Sequence, residues 1–390
     1  MPLFRGFRGK KGSKLTKILV IVLAITFVGG LLYTGTVIVT NPTQAGEIMA
    51  TVNGRAITRA AFEQGYTNAV LSEYQYTGRV LPETIGPIRA AVFDQYITTL
   101  LITEAMEKAK IRVSSKEVEE EFKRQQEAFP SKEEFQLALA GSFMTEDQFK
   151  DLIKDRLMIE KLFDRVQEGV TVSEDEIKQA YTDETGNPAE GEEFEEARAE
   201  LEARLLAQAK ENALIMWLED LRNEADIRIL DPELNALVKL QEGDYEGAVL
   251  DYESAIELDP DNAFLHIGLA QAHTLNEDME SAISALKEAV ALRPEDPYTR
   301  VLLGVAYREH GSNELAVEEF KMAAEYGETD ILLQVRLESL IRTVGTEEDV
   351  KEQQARIEEV RALLEEQEQS RESQEQSEEG ADDSQDQADN

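Results

Sequence analysis

Residues 244–260 read DYEGAVLDYESAIELDP and residues 278–294 read DMESAISALKEAVALRP. The two stretches stand 34 residues apart, and Asn313-Glu-Leu-Ala316 continues the register. Ala248, Ala282 and Ala316 keep the same step, as do Tyr252, Leu286 and Phe320, and Ala255, Ala289 and Ala323. Pro260 and Pro294 end the first two units. A fixed period of this size means stacked helical units, none of which buries its apolar face alone. Small alanines let two antiparallel helices approach closely, and the large residue fills the gap between units. Three units fall at about 229–262, 263–296 and 297–330, and a degenerate fourth with a long acidic helix, about 331–368, caps the stack.

The period and the small, aromatic, small, proline order resemble the tetratricopeptide repeat (TPR), with Gly304 and Tyr307 at matching first-helix positions of the third unit. The resemblance implies an α-solenoid whose first helices line a groove for a protein partner. Its groove-facing positions are Leu237, Leu240, Phe264, Ile267, Gln271, Tyr298, Val301, Val305 and Arg308. They lack the Lys and Asn pairs that would clamp a terminal carboxylate. The groove reads as apolar and suited to a helix or an extended peptide, either a cell-envelope partner or the chain's own first domain. His266 and His273 lie seven residues apart, but His273 holds a repeat-packing position, which favours packing over metal binding.

Upstream, residues 48–58 read IMATVNGRAIT, two short strands around an Asn-Gly turn, a pair that tolerates the positive φ of a tight hairpin. Helical patterning follows from about Arg59. Ser114…Glu117, Ser131…Glu134, Thr145…Gln148 and Ser173…Glu176 read as capping boxes that start four helices. A last helix from about Phe194 to Glu224 leads into Ala225-Asp-Ile-Arg-Ile229, whose alternation predicts a strand closing on the hairpin.

The entry VNGRAITRAAF resembles the chaperone region of the SurA/PrsA-type chaperones, and so do AKIRVSSKEVEEEF, MTEDQFKDLIKDRLMIEKL, GVTVSEDEIKQAY and the closing FEEARAELEARLLAQAKENALIMWLEDLRNEADIRI. The likeness spans residues 47–230 and implies a helical chaperone domain closed by a small β-sheet. In that family a parvulin-type prolyl isomerase domain follows the VSEDEIKQAY-like helix. Here Tyr181 and Phe194 are separated by a polar loop of 12 residues, too short for a core, and no histidine precedes His266. The expectation is therefore a chaperone module without isomerase activity.

Tyr66, Tyr74, Tyr76, Phe93, Tyr96 and Phe122 fall at helical spacings and are expected in its core. Phe129, Phe135, Phe143 and Met144 lie beside short helices broken by Pro130 and Gly141, which makes them the candidate client-binding surface.

The amino terminus carries six basic and no acidic residues in 1–17, followed by a charge-free run over 18–40. A helix of that length rises about 35 Å, enough to cross a hydrocarbon core of about 30 Å. The basic flank keeps the terminus cytoplasmic and places the rest of the chain outside. A cleaved signal peptide is the rival, with Thr43-Gln44-Ala45 as a weak cleavage site, although the apolar run is long for one. The tail, residues 369–390, holds eight acidic residues and nine Gln or Ser, and is expected to be disordered.

A formal charge of −39 from 79 acidic and 40 basic residues argues against nucleic-acid binding. The absence of cysteine excludes disulfides, thiol catalysis and a lipoprotein anchor. No catalytic triad, phosphate loop or metal cluster is legible, so no catalytic, cofactor-binding or metal residue is assigned. The mainly α chain thus reads as a single-pass cell-membrane protein. It would be a non-catalytic extracytoplasmic holdase binding unfolded or exported polypeptides, or alternatively a TPR scaffold for a cell-envelope complex.

Overall fold

Val52-Asn53-Gly54-Arg55 turns the chain back on itself because Asn53 (φ +49°) and Gly54 (φ +80°) both adopt the left-handed conformation. In this computed structural model, which describes residues 48–142 and 144–386, the turn joins β1 (Ile48–Val52) to β2 (Arg55–Thr58). The apolar run at 18–40 and Phe143 lie outside the described residues. β3 (Ile227–Ile229) pairs antiparallel with the other edge of β1, giving the order β2-β1-β3 with Ala50 opposite Ile229 and Val52 opposite Ile227. Asn53 does more than turn the chain. Its backbone N–H donates to the Asp226 carbonyl at 2.9 Å, and its side-chain oxygen accepts from Asp226 N–H at 2.8 Å.

The other regular elements described are helices: α1 (Arg59–Thr77), α2 (Pro82–Lys108), α3 (Ser115–Glu127), α4 (Lys132–Gly141), α5 (Glu146–Val166), α6 (Glu174–Thr185) and α7 (Glu192–Glu224) precede β3. The reciprocal capping boxes form at Ser114, Thr145 and Ser173. Ser131 accepts from Glu134 N–H at 3.1 Å, and no return bond from the Glu134 side chain accompanies it.

The molecule divides into two units, and the division is not the one the sequence suggests. The first holds residues up to Thr67 together with Val92–Ile229; the second holds Asn68–Ala91 together with the chain from Leu230 onward. The end of α1, the start of α2 and the turn between them therefore belong with the repeats.

Among the described residues, three clusters hold the helices of the first unit together. Met106, Ile111 and Leu162 join α2 to α5, with the Trp217 ring of α7 edge-on to Phe163 at 6.3 Å. Val118, Phe122, Phe135, Leu139, Phe149, Leu152 and Ile153 join α3, α4 and α5. Ile177, Tyr181, Phe194 and Leu201 join α6 to α7. The connection between α6 and α7 is residues 186–191, and the Tyr181 and Phe194 rings meet edge to face at 5.2 Å. The two helices thus form a tight hairpin, and part of the 12-residue polar segment is absorbed into their ends.

In the second unit the repeats are the helix pairs α8 (Pro232–Glu242) and α9 (Tyr245–Leu258), α10 (Ala263–Leu275) and α11 (Met279–Leu292), and α12 (Pro297–Glu309) and α13 (Asn313–Tyr326). Then come α14 (Ile331–Val344) and α15 (Glu347–Asp386). Ala248, Ala282, Ala316, Ala289 and Ala323 have no exposed surface, so the small-residue period is the seam along which helices touch. Two buried amides close the stack. Gln334 Nε2 donates to the carbonyls of Ala324 (2.8 Å) and Gly327 (2.9 Å), and Gln353 Nε2 donates to Gln334 Oε1 (2.7 Å). The backbone of α15 stays helical through the acidic tail to Asp386, where an unstructured tail was expected from Gln369. Glutamate and glutamine are good helix formers, and the tail contains no proline to break the run begun on Ile357 and Val360, which are buried.

Candidate functional site: the first-helix face of the repeats

Four helices, α8, α10, α12 and α14, are the first members of their pairs and carry the candidate groove. Two observations locate its chemistry. Asp330 caps α14, its side chain accepting Leu333 N–H at 3.0 Å, and also accepts a short hydrogen bond from the Tyr298 hydroxyl of α12. Arg79, in the turn after α1, donates from Nη1 to Tyr298 Oη at 3.0 Å and lies 3.4 Å from Asp330 Oδ2. Burial pushes the Tyr298 phenol up, and the hydrogen bond to Asp330 adds to it. Burial opposes ionisation of Asp330, yet the Tyr298 hydroxyl, the Leu333 N–H and the Arg79 charge outweigh it and hold the carboxyl below its usual range.

The rest of the segment follows the same face. Glu83 pairs with Arg336 of α14 at 3.2 Å, and Arg89 pairs with Glu233 of α8 at 2.9 Å. Pro82, Ile85 and Arg89 are buried at the three- and four-residue spacing of one helix face. At Gly86 a Cβ would stand 3.3 Å from Leu237 Cδ2, so glycine lets the α2 backbone approach α8. Residues 79–89 of the chain thus lie along the first helices of its own repeats.

Of the sequence-predicted groove residues, Leu237 and Tyr298 meet this segment. Ile267 and Val301 are core residues at 8% and 1% exposure, which corrects their assignment to the groove surface; they pack between neighbouring repeats. Phe264 and Val305 are half-buried against that core, with the Arg293 guanidinium 4.9 Å over the Phe264 ring. Leu240 is half-buried, Gln271 is exposed, and Arg308 lies 3.6 Å from Glu309. Glu233, Asp330 and Arg336, which pair with this segment, are residues of the candidate site that sequence reasoning missed. The available signal was Gly86-Pro87, a poor pair for a helix interior, which α2 nevertheless contains.

Among the candidate client-binding residues, Phe135 is corrected. Phe135 is 1% exposed, enclosed by the rings of Phe122 (5.5 Å), Phe129 (5.2 Å) and Phe149 (5.6 Å), all edge to face. Phe129 and Met144 are half-buried against the same cluster. Short helices were expected to leave these side chains without a core, but α3, α4 and α5 build one of their own. Tyr74 and Tyr76 reverse the expectation in the other direction. Phe93, Tyr96 and Phe122 are buried, whereas Tyr74 is 58% exposed and Tyr76 84%, with Leu71 one turn from Tyr74 at 53%.

His266 approaches the Pro260 carbonyl at 3.4 Å, and His273 lies 3.7 Å from Asp278. No group of three or more potential metal ligands gathers among the described residues. Nor, among them, is any helix long and apolar enough to cross a membrane.

Comparison with known proteins agrees with the two-part architecture. Residues 3–163 match the SurA-like N-terminal domain, residues 236–276 a TPR repeat, and residues 276–330 a tetratricopeptide repeat. The foldase protein PrsA of Caldanaerobacter subterraneus subsp. tengcongensis is 27% identical over 150 residues, covering 35% of this chain and 42% of the foldase. The chain therefore spans less than half the length of that relative. Among solved structures, MamA from Desulfovibrio magneticus RS-1 is similar at 20% identity and a TM-score of 0.28, over 35% of this chain and 75% of that one. YrrB, described as a TPR protein with an unusual peptide-binding site, matches at 21% identity and a TM-score of 0.27, over 32% of this chain and 64% of that one. The chain joins a SurA-like N-terminal domain to tetratricopeptide repeats.

Proposed function

We propose that this protein is a membrane-anchored, extracytoplasmic and non-catalytic holdase that shields unfolded or exported polypeptides, with its repeats recruiting a client or partner. The observation that supports the reading is the tight α6–α7 hairpin in a first unit closed by β3: six residues connect its helices where the resemblance to SurA/PrsA-type chaperones implies an inserted catalytic domain. Leu71 and Tyr74, exposed on one face of α1, supply apolar surface for client segments.

The full chain in lipid nanodiscs, added to a chemically unfolded reporter protein, is expected to suppress its aggregation in proportion to dose, relative to empty nanodiscs. Leu71→Ser with Tyr74→Ser should weaken that suppression several-fold. Aggregation unchanged at every ratio would sink the holdase reading in favour of a scaffold that assembles an envelope complex through the repeats.

The absence of native cysteine makes the topology directly measurable. In intact spheroplasts a membrane-impermeant maleimide should label a Ser370→Cys chain and leave a Ser13→Cys chain unlabelled. Equal labelling of both would contradict the proposed orientation.

A further inference from the structure

We propose that the first-helix face of the repeats is a selective receptor for a segment with an arginine in the turn before a helix, a glutamate four residues on in the first turn of that helix, and a second arginine six residues later. Residues 79–89 are its resident ligand, to be displaced by a partner segment of the same pattern. The inference deepens the recruitment part of the proposed function; it does not depend on holdase activity.

Three sockets of alternating charge read the segment. The Tyr298–Asp330 pair receives Arg79, Arg336 receives Glu83, and Glu233 receives Arg89. They stand on α8, on α12 and at the start and first turns of α14, so recognition spans the stack from the first repeat to the helix after the third. Between them the buried stripe of Pro82, Ile85 and Arg89 sets the helix face, and Gly86 sets how close it comes to Leu237. A side chain at the glycine position presses on Leu237, and reordered charges meet like charges in the sockets.

The same geometry makes the segment exchangeable. Arg79 and Asp330 are 35% and 33% exposed, and Arg336 and Glu83 41% and 31%, so water and salt reach both pairs. Partly exposed pairs of this kind hold little net attraction once screened by water and salt. The Arg89–Glu233 pair is more withdrawn, at 10% and 17%. The segment's advantage over an outside peptide is its tether, which sets an effective concentration on the order of mM. Loosening the resident segment therefore opens the face to a peptide of identical sequence.

The probe is a fluorescein-labelled peptide covering residues 78–92, titrated by anisotropy against the full chain in nanodiscs. Arg79→Glu with Glu83→Arg dislodges the resident segment by placing like charges against Asp330 and Arg336. This variant should bind the peptide at least 10-fold more tightly than the wild-type chain does. Arg336→Glu in the otherwise wild-type chain sets like charges against Glu83 and should reverse the preference, favouring a peptide whose own glutamate at position 83 is replaced by arginine. A measurement needing no substitution accompanies it: saturating peptide should speed hydrogen exchange at residues 79–91 of the wild-type chain. Binding that is absent from every variant, or equal for both peptides, overturns the proposal, as does exchange at 79–91 that saturating peptide leaves unchanged.

Discussion

Phe135→Ala is expected to destabilise the α3–α5 region by about 3–5 kcal/mol, enough to unfold it locally under conditions where the repeats stay intact. The Phe135 side chain is among the largest fully buried ones, and three aromatic rings surround it. Removing it leaves a cavity lined by edge-to-face partners that cannot collapse together. Each lost aromatic pair adds about 0.5–1.5 kcal/mol to the lost burial. Hydrogen exchange read peptide by peptide separates this from a global effect: protection should fall in residues 115–166 and hold in α10–α13. Unchanged protection in 115–166, with client binding lost, would restore Phe135 to the surface role that its place beside Pro130 suggested.

A second large effect is expected at Gly304. A Cβ there would fall 2.5 Å from the Phe320 ring, and Phe320 has no exposed surface into which to retreat. Gly304→Val should cost about 3 kcal/mol by overpacking, against a helix-propensity gain of only a few tenths. Gly304→Ala should still destabilise, though by less, because the propensity gain of about 1 kcal/mol partly offsets the clash. Gly141→Ala provides the contrast, since a Cβ there meets nothing within 4 Å and the change should be neutral within about 0.5 kcal/mol. Thermal unfolding followed by circular dichroism ranks the three. A Gly304→Val chain as stable as wild type would mean that α12 and α13 separate more readily than their packing implies.

Much of this architecture was legible because it rests on local or periodic chemistry. The 34-residue step of Ala248, Ala282 and Ala316 announces the seam between helices, since only small residues allow that approach. Ser114, Thr145 and Ser173 announce helix starts, because a cap is satisfied by residues three positions away. Asn53-Gly54 announces the hairpin through the backbone conformation both residues tolerate. The strand at 227–229 was legible from alternation, and its pairing with β1 completes a sheet with sequence-distant partners.

The burial of individual side chains was not legible in the same way. Phe135 and Tyr74 both sit at helical spacings, yet one is 1% and the other 58% exposed. Periodicity states that a face is apolar; which face meets another element depends on helices that the local sequence does not mention. Sequence by itself determined the two kinds of module, the hairpin, the caps and the repeat register. Only the tertiary structure decided that residues 68–91 belong with the repeats and that the segment's Arg79, Glu83 and Arg89 find Tyr298 and Asp330, Arg336 and Glu233. Those partners lie 144 to 253 residues apart in the chain, and charge pairs at such separation follow from how whole helices stack, with no local pattern to record them.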